Sequence, residues 1–136
     1  MEISSSSGRV ILVGAGPGAP DLLTLRAARA LAAADVVAHD GLIAPAVLEL
    51  APGARRTDVS KKRARHTLPQ DAIGALLVAE AQAGNLVVRL KGGDPFIFGR
   101  GGEEVEACDA AGIAVEVIPG VSSALGAAAA ALMPLT

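Results

Sequence analysis

Apolar positions along the chain come in two patterns. A short continuous run at 10–13 fits a strand covered on both faces, because a strand flanked by helices has no polar side to present, and largely apolar stretches at 36–39, 86–90 and 114–118 read as further strands. Between them lie stretches with helical spacing. Ile73, Leu76, Leu77 and Ala81 share one helical face, Thr67 with Gln70 forms a capping box ahead of them, and Gly84 ends the run. Another helix is expected from a cap at Asp21 through about Ala33, a short one at 45–50, and two more at 103–111 and 122–132. A weak third strand at 57–59 completes the alternation. Strands alternating with helices predict an α/β fold: an open, mainly parallel five-stranded sheet with right-handed crossovers and helices on both faces.

Composition narrows this picture. A chain of 136 residues has room for one ordinary domain, expected at 9–136 behind a flexible tail at 1–8. Its residues are 51% apolar but only 1% aromatic, so the core must be close-packed from small aliphatic side chains. The formal charge of -2 gives no global pull toward nucleic acid or an anionic membrane. Yet Arg55, Arg56, Lys61, Lys62, Arg63 and Arg65, half of the 12 basic residues, crowd into one stretch, which suits a local anion site. Cys108 stands alone, so neither an intrachain disulfide nor a multi-cysteine metal site can form. A small buried hydrophobe in a reducing, cytoplasmic setting is expected. The apolar end at 124–135 is shorter than the roughly 20 residues that cross a bilayer and reads as a soluble helix.

Open parallel sheets bind ligands beyond the carboxyl ends of their strands. Every unusual segment here falls at that edge. Gly14, Gly16 and Ala19 satisfy a dinucleotide G-x-G-x-x-A pattern, and Asp40 follows the second strand as that pattern requires. Pro17 and Pro20, however, delay the helix whose amino terminus should face a pyrophosphate. The loop at 91–104 is more specific: five glycines and both phenylalanines surround Asp94, so bare amides can face a ligand while the carboxylate accepts hydrogen bonds. The competing reading is a tight turn pinned by two buried Phe side chains. Asp40 equally suits a strand-end carboxylate capping an amide, and the basic stretch a solvated loop.

The strings VGAGPGAPDLLTLRAARAL, RLKGGDPFIFGRGGEE, VIPGVSSA and the final PLT resemble the tetrapyrrole methylase family, most closely its members that act on uroporphyrinogen III. The match covers nearly everything after Gly8, in order, and the GGDPFIFGRGGEE form is its discriminating piece. The resemblance implies two successive methyl transfers from S-adenosylmethionine to carbons of an acidic tetrapyrrole, giving precorrin-2 by way of precorrin-1, without a metal. It maps cofactor contacts onto Pro17, Gly92, Gly93, Asp94, Ile97, Ser122 and Ser123, a proton acceptor onto Asp40 and a proton donor onto Lys61. It also implies a homodimer. A methylated pyrrole carbon becomes cationic and must shed a proton, which a carboxylate can accept. The many carboxylates of the tetrapyrrole suit the basic stretch.

Three positions depart from the family pattern. Gly41 stands where a larger basic residue is usual, Ser60 replaces a glycine before Lys61, and one residue is missing between Asp40 and Lys61. The family also carries a second α/β domain after PLT that completes the cofactor cleft, so these residues alone are expected to be weakly active or inactive. A nicotinamide-binding domain resting on Gly14, Gly16, Ala19 and Asp40, and a noncatalytic fragment that self-associates through exposed apolar surface, are the other two readings.

Overall fold

In the computed structural model, which describes residues 8–60 and 70–136, strands and helices alternate throughout. They are β1 (Arg9–Gly14), a 3-10 turn (Pro20–Leu22), α1 (Leu25–Ala33), β2 (Val36–His39), α2 (Pro45–Leu48), β3 (Arg55–Asp58), α3 (Gln70–Gln82), β4 (Leu86–Lys91), α4 (Gly101–Ala110), β5 (Ala114–Ile118) and α5 (Ser123–Ala131). All strands are parallel, in the order β3-β2-β4-β1-β5. The expected α/β sheet is present; β4 is its middle strand, and β1 beside it holds Val10 next to Val87 on one flank and Val115 on the other.

The side-chain alternation of a strand explains the layers. Val10 and Leu12 point to one face, where Ile73, Leu77, Ala81 and Cys108 cover them. Ile11 and Val13 point to the other, under Ala27, Leu31 and Val47. A right-handed crossover places its helix according to the direction of travel across the sheet. The path β1 to β2 to β3 runs one way with α1 and α2 on one face. The return through β4 to β5 runs the other way with α3 and α4 opposite. Both cores are aliphatic, and α3 and α4 approach closely at Gly74, where an added Cβ would stand 2.8 Å from the Cβ of Ala107.

Local departures from expectation have identifiable causes. The first helix begins at Leu25 rather than after Asp21: Leu23 and Thr24 are extended, and Thr24 Oγ1 caps it by accepting from the Ala27 amide at 3.0 Å. Asp21 sits in the 3-10 turn opened by Pro20. The third strand is Arg55–Asp58 instead of 57–59, and it lies at the sheet edge against β2 alone, which is why it carries no apolar run. It is tied to α3 by a bidentate pair, Arg55 to Glu80 at 2.8 and 3.0 Å. α2 stops two residues short of the expected end, and α4 starts two earlier. α5 closes with Leu132 left-handed at φ 58. The Thr67 cap and residues 1–7 lie outside the described residues. Among the described residues, no helix is long and apolar enough to cross a membrane.

The last helix behaves differently from the rest. α5 has no buried residue, and Leu125, Leu132, Met133 and Leu135 are exposed along with Leu25. Its tie to the first loop runs through Gly126, whose missing side chain makes room for the ring of Pro17.

Two outcomes follow from the burial pattern. Leu77→Ala, at a fully buried position, should cost about 2–5 kcal/mol in denaturant unfolding, whereas Leu25→Ala, 75% exposed, should stay within about 0.5 kcal/mol. Cys108 is buried, and desolvation, reinforced by Glu104, pushes its thiol pKa up. Unfolding frees the thiol to ionise, so stability measured by chemical denaturation should fall as pH rises through the free-thiol range, and Cys108→Ala should flatten that fall.

Candidate functional site

Three glycine turns meet at the carboxyl edge of the sheet. An ideal Cβ on Gly14 would lie 2.7 Å from the Cα of Gly120, and one on Gly120 would lie 2.9 Å from the Cα of Gly14 and run into the carbonyl of Gly93. These obstacles are backbone atoms with nowhere to go, so only glycine fits. Gly16 and Gly93 exchange amide-carbonyl bonds at 3.2 and 2.9 Å, joining the turns after β1 and β4. Asp94 adds a third link: Oδ2 accepts from the Gly120 amide at 3.0 Å while Oδ1 accepts from Phe96 N at 2.9 Å. β1 and β4 are neighbours whose onward helices lie on opposite faces, the place where an open α/β sheet leaves a crevice.

That crevice is a hollow of about 400 Å³. Pro17, Gly92, Gly93, Asp94, Ile97, Ser122 and Ser123, all seven positions mapped from the motifs, line it. Leu42, Ile43 and Ala44, between β2 and α2, and Val47 of α2 supply an apolar wall. Gly18 and Gly92 have open space where a Cβ would stand, so their bareness keeps the groove clear. Ser122 precedes α5 without making a side-chain cap, which leaves its hydroxyl and the first amides of that helix available at the groove. The Phe side chains do not pin the loop from inside, because Phe96 is 58% and Phe98 91% exposed.

Asp40 lines an adjoining hollow of about 510 Å³ with Gly41, Ser60, Arg89, Lys91 and Arg100, and Leu42 borders both. The motif-mapped residues therefore divide: the seven cofactor positions share the groove, and Asp40 faces its neighbour. Behind Asp40 stands a buried charge cluster. Arg89 reaches Asp40 Oδ1 from Nη2 at 3.1 Å and Glu104 Oε2 from Nε at 3.1 Å. Lys91 Nζ donates to Glu104 Oε1 at 3.1 Å and to the Gly99 carbonyl at 2.6 Å. Burial, helped by Arg89 alongside, pulls the Lys91 pKa down, while Glu104 opposes the shift. Lys61, with the rest of the basic stretch at 61–66, lies outside the described residues.

Two of the family departures touch one another. A side chain at Gly41 would run into the hydroxyl of Ser60, which donates to Asp58 Oδ1 at 2.7 Å beside the Ser60 amide at 2.9 Å. Motif reading missed the apolar wall and the charge cluster. The cluster did have a signal: Arg89 and Lys91 interrupt a run otherwise typical of a strand buried on both faces, and a charge there must find a partner. The geometry also weighs against a pyrophosphate site, since α1 starts four residues after Asp21, is capped by its own Thr24 and lies off the groove.

Comparison with known proteins gives the same family as the motifs. The profile for tetrapyrrole (corrin/porphyrin) methylases matches residues 9–136. A siroheme synthase of Pseudomonas fluorescens is 58% identical over 136 residues, which are 99% of this chain and 29% of that protein. A crystal structure of uroporphyrin-III C-methyltransferase from Thermus thermophilus superposes with a TM-score of 0.84 at 53% identity, covering 95% of this chain and 55% of that one. The Thermus thermophilus enzyme complexed with S-adenyl homocysteine superposes with a TM-score of 0.80 at 53% identity over 95% of this chain and 53% of that one. The chain thus spans under a third of the siroheme synthase it matches. Sheet order, the glycine crevice and a match over all but the first eight residues make this chain a member of the tetrapyrrole methylase family.

Proposed function

We propose that this chain forms the S-adenosylmethionine-binding part of a C-methyltransferase that converts uroporphyrinogen III to precorrin-2 through precorrin-1, on the route to sirohaem and cobalamin. The observation that carries the reading is the groove, where seven motif-matched residues from three separate turns converge. The groove suits the donor: glycines hold the floor open, an apolar wall faces an adenine-sized ring, and carbonyls, Ser122 and uncapped helix amides offer polar contacts to ribose and amino acid groups. S-adenosylmethionine, when bound, supplies a methyl group activated on a sulfonium. Pro17, Gly92, Gly93, Ile97, Ser122 and Ser123 hold it, and Asp94 acts chiefly by locking the turn after β4 to that after β5.

The chain's own chemistry centres on Asp40. Its carboxylate, 38% exposed in the adjoining hollow, takes the proton that the methylated carbon must lose. Positioning carries most of the acceleration, because methyl transfer requires donor and acceptor in line. The basic stretch, with Lys61 as proton donor, grips the propionate and acetate arms of the tetrapyrrole, and the working protein is a homodimer in the cytoplasm.

Two measurements test this reading. Titration calorimetry should show S-adenosylhomocysteine binding to the chain in preference to NAD(P). Gly92→Leu should weaken that binding at least about tenfold by filling the groove, whereas Gly53→Leu, equally unobstructed but away from it, should not. Equal binding by both variants, or preference for the nicotinamide, refutes the site. In a protein that also carries the family's second domain, Asp40→Asn should lower labelled-methyl transfer to uroporphyrinogen III by about 100-fold or more while leaving S-adenosylhomocysteine affinity unchanged.

A further inference from the structure

Glu104, in the first turn of α4, is 1% exposed, and each of its carboxylate oxygens faces a different cation: Oε2 the Nε of Arg89, Oε1 the Nζ of Lys91, both at 3.1 Å. Arg89 is itself 3% exposed and faces four acceptors. Its Nη1 lies 3.4 Å from the carbonyls of Ala38 on β2 and Leu90 on β4, so the guanidinium plane is keyed to the backbones of two adjacent strands. Only Nη2 points outward, to Asp40 Oδ1 at 3.1 Å. Asp40 lies just past the end of β2, where a short side chain has several open rotamers. A planar, multiply anchored donor removes that freedom in a way a flexible ammonium does not.

We propose that Arg89 is a positioning residue for the Asp40 carboxylate and that Glu104, which never touches Asp40, sets the position of Arg89. The inference rests on the reading of Asp40 as proton acceptor. Stability alone does not account for the cluster, since buried ion pairs are often replaced by apolar side chains at no loss. Nor does cofactor binding, because none of the four charged residues lines the groove. What the arrangement accomplishes is to hold one oxygen of Asp40 in a fixed direction while the carboxylate still opens on the hollow.

Arg89→Gln and Glu104→Gln, made in a protein that also carries the family's second domain, test this, with crystal structures, S-adenosylhomocysteine affinity and turnover as readouts. The expected result is a displaced Asp40 carboxylate in both variants, cofactor affinity within about twofold of the parent, and kcat lowered about 100-fold with little change in KM for the tetrapyrrole. Arg89→Lys, which keeps the charge but not the fork, should fold even if Arg89→Gln does not and should show the same displacement. An Asp40 carboxylate that stays in place in Arg89→Lys or Glu104→Gln overturns the proposal, as does loss of cofactor affinity in parallel with turnover, which marks a purely structural role. A parent chain that binds no S-adenosylhomocysteine would instead count against the proposed function, and the Asp40 displacement can still be read.

Discussion

Backbone-to-backbone contact among Gly14, Gly93 and Gly120 is the constraint on which the site depends. Strands in a parallel sheet are held about 4.8 Å apart, and side chains normally keep the turns beyond them separate. Here the turns close over one another because none of these three positions carries a Cβ. The amides of Gly16 and Gly93 and the carboxylate of Asp94 then sew the turns together. The glycine side of the groove is thereby interlocked main chain, which suits a site that must hold a small donor in one orientation.

The carboxyl edge of the sheet presents two unlike surfaces side by side. The groove is largely apolar and main-chain in character, while the hollow beside it is backed by Arg89, Glu104 and Lys91. Burying charges costs several kcal/mol per ion unless partners meet them well, and this cluster meets the cost by sharing one carboxylate between two cations and adding backbone acceptors. Leu42, at the border of both, is almost wholly exposed. Such a division fits a reaction in which an uncharged carbon must meet an activated methyl while proton traffic is kept to one flank.

Much of this was legible along the chain. A continuous apolar run identified β1, where burial on both faces leaves no room for polar alternation, and largely apolar stretches identified β2, β4 and β5, the last two despite Arg89 and Glu116. The edge strand β3 was the weakest, for the converse reason: Arg55 and Arg56 are free to face solvent, so hydrophobicity no longer marks the strand. The start of α1 was misplaced because Asp21 and Thr24 are both good capping residues, and only the extended backbone at Leu23 and Thr24 selects between them. The glycine turns were recognisable as turns. That Phe96 and Phe98 face outward was not, since an aromatic pair in a glycine loop fits either a buried anchor or an exposed rim.

The sequence by itself determined the fold class and the apolar character of the last helix, because each depends on local pattern, and its motifs named the groove residues through their resemblance to the family. The strand order, the meeting of Gly14 with Gly120, the division of the edge into two hollows and the link from Glu104 through Arg89 to Asp40 were decided by tertiary structure. These are contacts between residues far apart along the chain, and nothing in local propensity ranks one such pairing above another. Only the packed sheet, with its crossovers of one hand, brings them within a few ångströms.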